Sequence, residues 1–332
     1  MRLICTVLLW LGLALPALAA CEGQDLRAGL DAEERAFMAE RLEGMPYPRG
    51  NHWRATRGDS VLHLVGTMHL DDPRHGPVAE RLAPLVSGAR LLLVEMAPAE
   101  QEKLLSAMAE QPGLLTLEAG PSLIDRMDET EWQRLAEAAR SRGVPAFMAA
   151  KFRPWYLMML LSTPPCATPS PGEVPEGLDQ RLMDLAKDAA VPVRSLEDYD
   201  TVFRIFEEIP MAEQLEMLRG ALMPKGMQED AFATMLDAYF DQELGQAYLL
   251  GRIVGTRQGD LSEAELDRIF AETRDTMLTA RNEAWMPRIL DALDRPGEGP
   301  VVVAVGGAHL IGAEGLPALL EARGFRLERA AF

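Results

Sequence analysis

The sequence is poor in cysteine and in positive charge, and both shortages exclude classes of protein. Three cysteines among 332 residues are too few for a disulfide-dense scaffold or for a zinc ribbon with several cysteine ligands. Lysine and arginine number 33 against 51 aspartate and glutamate residues, which gives a formal net charge of −18 at pH 7. Because a surface this acidic repels phosphate backbones, we expect no nucleic-acid partner.

Several common catalytic motifs are also missing from the sequence. It contains no G-x-G-x-x-G that opens a helix, no P-loop, no G-x-S-x-G nucleophile elbow and no H-E-x-x-H zinc motif. Serine hydrolysis stays open, because the members of a triad need not lie close together in sequence. Long apolar runs are equally scarce, and the one stretch that approaches membrane-spanning length lies at the extreme N-terminus.

That N-terminal stretch is typical of a secretory signal peptide. Arg2 precedes an apolar run over residues 3–15, and Ala17-Leu18-Ala19 is a small-x-small cleavage site. We therefore expect residues 1–20 to be a signal peptide that is removed from the mature chain. A retained membrane anchor is the alternative, which the cleavage signal disfavours.

The two cysteines beyond this segment, Cys21 and Cys166, have two alternative fates. An even pair in an oxidising compartment favours a disulfide, and a free thiol at Cys166 in the proline-rich segment 163–171 would be a liability. Alternatively, residues 18–21 (LAAC) resemble a bacterial lipobox, in which case Cys21 would carry a lipid anchor. We expect the disulfide. Both alternatives place the protein outside the cytoplasm, either periplasmic or attached to the membrane as a lipoprotein.

Apolar runs that alternate with helical periodicity predict an α/β fold with a mixed or parallel sheet. We predict strands over residues 61–65, 91–94, 144–149, 191–196, 301–305 and 325–328, the last as an edge strand. We predict helices over residues 22–50, 78–86, 99–140, 154–163, 178–189 and 315–323. Residues from about 200 to 293 form methionine-rich helices, which we interpret as an insertion within a single domain over residues 21–332.

Two similar segments carry the functional prediction. Residues 61–70 read VLHLVGTMHL and residues 301–310 read VVVAVGGAHL, so each is an apolar strand followed by G-x-x-H-L. Ligands of open α/β sheets bind at the carboxyl ends of strands, so we expect His69 and His309 to face one site. Glu95 directly follows a third predicted strand, and its desolvated carboxylate needs a metal ion or an arginine beside it.

Two imidazoles and one carboxylate form a ligand set for Zn²⁺, Mn²⁺ or Fe²⁺, and such a site can activate water for hydrolysis. Arg281 lies on the apolar face of the predicted helix 276–293, where a guanidinium needs a carboxylate or an anionic ligand. Asn282, beside it, could donate to an oxyanion. The alternatives are a structural ion pair for Arg281 and internal hydrogen bonds for the histidines and Glu95.

These motifs resemble those of the TraB/PrgY/GumN family, which includes the animal Tiki proteins. The resemblance rests on HLVGTMHL at 63–70, a strand that ends in Glu95, the pair Arg281-Asn282, and VGGAHLIG at 305–312. It extends over most of the mature chain, although many members have Gly-Ala-Gly-His where this sequence has Gly-Gly-Ala-His. The resemblance implies an erythromycin-esterase/ChaN-like mixed sheet with flanking helices and a large helical lobe. It also implies metal-dependent peptidase activity of the Tiki kind.

Together these features predict an extracytoplasmic metal-dependent hydrolase that acts on a peptide or small-molecule substrate. His69, His309 and Glu95 match the family's motif residues and are the predicted ligands of a divalent Mn, Co, Zn or Fe ion. Glu95, as ligand or general base, and Arg281 and Asn282, as oxyanion-stabilising groups, are the predicted catalytic residues. The alternatives are a metal-independent esterase-like hydrolase and a non-enzymatic protein that binds haem, metal or peptide.

Overall fold

A mixed sheet of six strands organises the structure, a computed structural model that describes residues 21–168, 176–259 and 261–332. The predicted signal peptide, 1–20, lies outside the described residues. The strands are β1 (His52–Arg57), β2 (Ser60–Thr67), β3 (Leu91–Val94), β4 (Val193–Ser195), β5 (Val301–Gly306) and β6 (Arg326–Arg329). Their order is β4-β3-β5-β2-β1-β6, in which β4, β3, β5 and β2 are parallel and β1 is antiparallel to both of its neighbours. The predicted mixed α/β architecture is confirmed at this level.

Fourteen α-helices in the described residues surround and extend the sheet. They are α1 (Ala32–Glu43), α2 (His75–Ser87), α3 (Pro98–Glu110), α4 (Glu129–Arg140), α5 (Ala146–Ala149), α6 (Pro154–Ser162), α7 (Leu178–Asp188), α8 (Thr201–Glu208), α9 (Met211–Gly220), α10 (Lys225–Phe240), α11 (Leu244–Gln258), α12 (Glu263–Arg274), α13 (Ala280–Asp294) and α14 (Leu316–Glu321). Helices α8 to α13 follow one another between β4 and β5, where the sequence predicts a helical insertion. None of the helices in the described residues has both the length and the apolar character needed to cross a membrane.

The centre of the core lies at the parallel strands. Every residue of β3 and all but the last of β5 are buried, as expected for strands covered on both faces. Helices α7 and α13 both pack against β5. A second apolar cluster lies away from the sheet, where α4, α6 and α9 bury Trp132, Leu157 and Leu218 against one another. The sheet is therefore the rigid element that fixes the carboxyl ends of its central strands.

Strand β1 has no counterpart in the sequence prediction. Its residues, HWRATR, contain few apolar side chains and show no clear apolar run. It forms a hairpin with β2, in which Arg57 lies opposite Ser60 and only Gly58-Asp59 connect the strands. Gly58 has a φ of 57°, which glycine adopts without steric cost. A Gly-Asp pair between two extended segments is a hairpin signal that could have revealed this strand.

The strand predicted over 144–149 is wrong. Residues Ala146–Ala149 form a short helix, and Pro145 stands at its N-cap position. The four helical residues are alanine, phenylalanine, methionine and alanine. None of them is β-branched, and alanine and methionine are strong helix formers. Only Ala149 of the four is buried, and Phe147 and Met148 are exposed, so the apolar run did not mark a buried strand.

A disulfide joins Cys21 to Cys166, which lies in a short 3-10 turn. The structure thus has the predicted pairing. The two cysteines are 145 residues apart in sequence. A loop of this length loses much conformational entropy in the unfolded chain when it is closed.

We expect Cys166→Ser to lower the free energy of unfolding by about 2–4 kcal/mol, because the unfolded chain regains that entropy. Urea unfolding of the wild type and the variant, each with and without reductant, measures the effect. Reductant should bring the wild type to the stability of the variant and leave the variant unchanged. Equal midpoints for the two oxidised proteins would contradict the prediction.

Candidate functional site

Charged side chains follow the carboxyl ends of four neighbouring parallel strands. Glu197 follows β4, Glu95 follows β3, and His309 and His69 follow β5 and β2. These strands are adjacent in the sheet in that order. The two histidines and Glu95, which the sequence predicts to meet, therefore come together at one edge of the sheet. Ligand sites in open α/β sheets lie at this edge.

The two G-x-x-H turns lie side by side because β2 and β5 are direct neighbours. Gly66 is paired with Val305, and Thr67 with Gly306. A Cβ atom at Gly66 would lie 2.9 Å from a methyl carbon of Leu310 and 3.1 Å from the Cα atom of Gly307. The first glycine of this motif is thus required by the close contact between the turns.

Arg281, in the first turn of α13, lies at the centre of the cluster. It is 9% exposed, and its five N–H groups all have acceptors. Nε and Nη2 donate to Glu197 over 2.9 and 2.7 Å, and Nη2 also donates to Glu95 Oε2 over 2.6 Å. Nη1 donates to the carbonyl of Met277 and to His309 Nε2, both over 3.2 Å. The guanidinium of Arg281, on the apolar face of its helix, thus pairs with two carboxylates, those of Glu95 and Glu197.

A π-helical turn, Asp275–Thr279, directly precedes α13. Such turns are rare and often occur at functional sites. Burial lowers the pKa of Arg281, but the hydrogen bonds and negative charges of Glu197 and Glu95 outweigh burial and raise it. The guanidinium therefore stays charged and neutralises part of the carboxylate charge around it.

Asn282 fixes the orientation of His309. Its Oδ1 atom lies 2.7 Å from His309 Nδ1, and its Nδ2 group donates to the backbone carbonyls of His309 and Glu314 over 3.3 and 2.8 Å. Because Nδ1 donates to an amide oxygen, His309 Nε2 is the unprotonated nitrogen that accepts from Arg281. Burial lowers the pKa of His309 to about 4, so the ring is neutral at pH 7.

His69 lies at the mouth of the cluster, with 60% of its side chain exposed. Its Nδ1 atom is 3.2 Å from Asp179 Oδ2, and its Nε2 atom is 4.0 Å from Glu95 Oε1. Partial loss of hydration lowers the pKa of His69, but the hydrogen bond to Asp179 and the charge of Glu95 outweigh it and raise the pKa to about 9. His69 is therefore held between two carboxylates.

The segment that carries Asp179 packs tightly against the backbone of His69. A Cβ atom at Gly177 would lie 2.5 Å from the carbonyl carbon of His69 and from the carbonyl oxygen of Met68. The amide of Leu178 donates to that same Met68 oxygen over 2.9 Å. The glycine thus allows the start of α7 to approach β2 closely enough for Asp179 to reach the ring.

Glu95 joins the exposed and buried parts of the cluster. Its Oε1 atom accepts from the amide of Gly306 over 2.7 Å and lies 3.9 Å from His309 Nε2. Burial alone would raise the pKa of Glu95. His309 and His69, which are both protonated at the low pH where Glu95 titrates, lower it to about 2 together with the Arg281 guanidinium and the bond from Gly306. Glu95 is therefore ionised at neutral pH.

The side chains of His69, Glu95 and His309 border a common space beside Gly306. A Cβ atom built on Gly306 would lie 3.3 Å from Glu95 Oε1, 3.7 Å from His309 Cδ2 and 4.0 Å from His69 Nε2. Imidazole nitrogens and a carboxylate oxygen suit Zn²⁺, Mn²⁺ and Fe²⁺. Each imidazole also has an oxygen partner on its Nδ1 atom, as metal-binding histidines usually do. In chemical type, the residues fit a divalent metal ion.

The present spacing of these side chains is wider than a metal site requires. In the part of the chain that the structure describes, no group of three or more His, Cys, Asp and Glu side chains is placed to hold an ion. Glu95 Oε1 is 4.0 and 3.9 Å from the two Nε2 atoms, whereas ligands about 2.1 Å from one ion lie closer to each other. The lone pair of His309 Nε2 also accepts from Arg281. A bound ion would therefore require small movements of these side chains.

Two members of the cluster, Asp179 and Glu197, are absent from the predicted site. Glu197 directly follows the predicted strand 191–196, so the signal that identifies Glu95 applies to it equally. Its Oε2 atom also accepts from Trp285 Nε1 over 3.2 Å. Asp179 is in the first turn of α7. The segment Gly177-Leu178-Asp179 also resembles a motif of the family, but the sequence does not indicate that Asp179 meets His69.

Comparison with known proteins agrees with the resemblance found in the sequence. The profile of the TraB/PrgY/gumN family matches residues 51–329, a range that contains the whole cluster. Two relatives, each named "Uncharacterized protein YbaP", come from Escherichia coli (strain K12) and Shigella flexneri. Each is 24% identical over an alignment of 282 residues, and the alignment covers 82% of this chain and 94% of the relative. The chain belongs to the TraB/PrgY/gumN family.

Proposed function

We propose that the protein is an extracytoplasmic hydrolase that cleaves peptide bonds with a divalent metal ion held by His69, Glu95 and His309. The observation that carries this proposal is the convergence of the three donor side chains on one space beside Gly306. When bound there, Mn, Co, Zn or Fe would polarise a carbonyl and supply an activated water at neutral pH. A histidine that binds a metal is neutral, so ion binding would release the proton of His69.

His69, Glu95 and His309 differ in exposure, which supports different roles for them in the reaction. His69 is 60% exposed, whereas Glu95 and His309 are only 14% and 4% exposed. The substrate therefore meets His69 first, and Glu95 and His309 act from the floor of the site. A carboxylate with a pKa of about 2 is a weak base. This favours Glu95 as a ligand over Glu95 as the general base.

The contacts of Arg281 and Asn282 support a role in holding neighbouring side chains in place, in addition to the predicted stabilisation of a substrate oxyanion. All N–H groups of Arg281 and both of Asn282 donate to acceptors within the protein. Stabilisation of a substrate oxyanion would require one of these donors to turn toward the cleft. In the observed arrangement, Arg281 holds the two glutamates in place and Asn282 holds His309.

Two further features support the compartment and the architecture that we propose. The Cys21–Cys166 disulfide favours an oxidising compartment, in keeping with a secreted periplasmic protein. The position of the cluster at the carboxyl ends of parallel strands supports an erythromycin-esterase/ChaN-like fold.

A metal-independent, esterase-like hydrolase is the second candidate, and Arg281 is the observation that favours it. Its guanidinium binds Glu95, Glu197 and His309 together and so supplies positive charge at the place where an ion would supply it. In that case the exposed His69 would perform the proton transfers itself.

Metal content and activity together test the proposal. Protein purified from the periplasm without chelators should contain about one Mn, Co, Zn or Fe ion per chain by mass spectrometry, and His309→Ala should contain none. Cleavage of a peptide library should stop after chelation and return with the ion. His63→Gln is the matched control, because His63 lies on β2 and contacts His52 outside the cluster. Peptide or ester cleavage that survives complete chelation would overturn the metal-dependent version and support the second candidate.

A further inference from the structure

Arg281 and a metal ion would need the same lone pair. The Nδ1 atom of His309 is engaged with Asn282, so Nε2 is the nitrogen available to a ligand. Arg281 Nη1 donates to this atom over 3.2 Å, and Nη2 donates to the neighbouring Glu95 over 2.6 Å. An imidazole nitrogen cannot accept a hydrogen bond and coordinate a metal through one lone pair.

The charges of the cluster also set Arg281 and a metal ion against each other. One guanidinium lies between two carboxylates, Glu95 and Glu197, whose side chains are 14% and 6% exposed. With Asp179 beside the protonated His69, the cluster holds three carboxylates against two cations. This excess of negative charge attracts a metal ion to the space, whereas the guanidinium repels it. The balance between these two effects depends on how close Arg281 stays to His309.

Arg281 could lose its hydrogen bond to His309 and still be held in position by its other contacts. Glu197 accepts from its Nε and Nη2 groups over 2.9 and 2.7 Å. Met277 accepts from Nη1, and the guanidinium carbon lies 4.8 Å from the centre of the Trp285 ring. The bond to His309 is thus one of five and the one that a metal ion must replace.

We propose that Arg281 competes with the metal ion, so that its hydrogen bond to His309 sets the metal affinity of the site. This inference rests on the proposed metal site at His69, Glu95 and His309. Arg281 is then a positioning residue that limits how tightly the ion binds. A site of this kind takes up a metal only where the free ion is abundant enough to displace the guanidinium.

Titration with Co²⁺ alone tests the competition without any substrate, by calorimetry and by the visible absorption of the bound ion. We expect Arg281→Met to bind Co²⁺ at least tenfold more tightly than the wild type, because the repelling charge and the competing donor are both gone. Arg281→Lys keeps the charge and should stay near the wild type. Arg288→Met is the matched control on the same helix, because Arg288 pairs with Asp198 at the surface, and it should bind like the wild type.

A second pair of variants covers the case in which Arg281→Met does not fold. Glu197→Gln removes one buried carboxylate, and the double variant Arg281→Met/Glu197→Gln should bind Co²⁺ at least tenfold more tightly than Glu197→Gln alone. Equal or weaker Co²⁺ binding without the guanidinium, in a wild type that does bind, would overturn the competition and leave the metal site standing. No Co²⁺ binding by any of these proteins would overturn both proposals.

Discussion

Replacement of Arg281 by methionine should lower the free energy of unfolding by about 3–5 kcal/mol, the usual cost of removing one partner from a buried ion pair. The side chains of Arg281, Glu95 and Glu197 are only 10%, 14% and 6% exposed. Without the guanidinium, two carboxylates would face each other in a site that water barely reaches. Urea unfolding followed by circular dichroism at pH 7 measures the loss.

The same helix offers a matched control for this prediction. Arg288 also pairs with an aspartate, Asp198, but the two side chains are 46% and 58% exposed. Exposed pairs contribute about 0–1 kcal/mol, so Arg288→Met should change stability little. Arg281→Met/Glu197→Gln should recover part of the loss, because one of the unpaired charges is gone. Similar losses in Arg281→Met and Arg288→Met would show that the buried cluster is not held together by the guanidinium.

Lower pH should also reduce the deficit of Arg281→Met. In that variant Glu95 loses the guanidinium, so fewer positive charges oppose the effect of burial and the pKa of Glu95 rises above its wild-type value. The folded variant therefore takes up a proton at higher pH than the folded wild type, and its stability relative to the wild type improves as the pH falls. A deficit that stays constant between pH 7 and pH 5 would contradict charge burial as its cause.

Strands with strong apolar patterns could be predicted from the sequence, and they position most of the site. Val301–Gly306 and Leu91–Val94 are buried on both faces, so burial required an unbroken apolar run in each. Glu95 follows its run directly, and His309 follows its own after Gly307 and Ala308. The rule that ligands bind at the carboxyl ends of parallel strands then predicts from the sequence alone that the two residues meet.

Other parts of the site depend on contacts that local sequence does not encode. Strand β1 is stabilised by pairing with β2 and β6 rather than by its own apolar residues. Only the Gly58-Asp59 turn indicates this strand in the sequence. Asp179 meets His69 because Gly177 allows a helix to approach β2 closely. The sequence indicates that Arg281 needs a carboxylate partner. Its acceptors in Glu95, Glu197 and His309 come from the tertiary fold, and only the Met277 carbonyl is local.

Replacement of His69 by alanine should lower kcat/KM for the cleaved peptide by about 10²–10⁴-fold, the range expected for a lost proton-transfer group, or more if the ion is lost with it. His69 should matter more to the reaction than to the fold, because 60% of its side chain is exposed. Its removal should therefore change the free energy of unfolding by about 1 kcal/mol or less. Arg281→Met should show the opposite pattern. Because it removes a buried charge, its main effect is on the free energy of unfolding.

The stability and activity of His69→Ala distinguish a catalytic site from an ion cluster that only stabilises the fold. If the cluster only stabilises the fold, His69→Ala should leave both stability and peptide cleavage close to the wild type. If the cluster is catalytic, His69→Ala should be folded and inactive, whereas His63→Gln, on the strand that precedes His69, should be folded and active. Because His69 is the exposed end of a network whose other members are buried, it is the position where function can be lost without the fold.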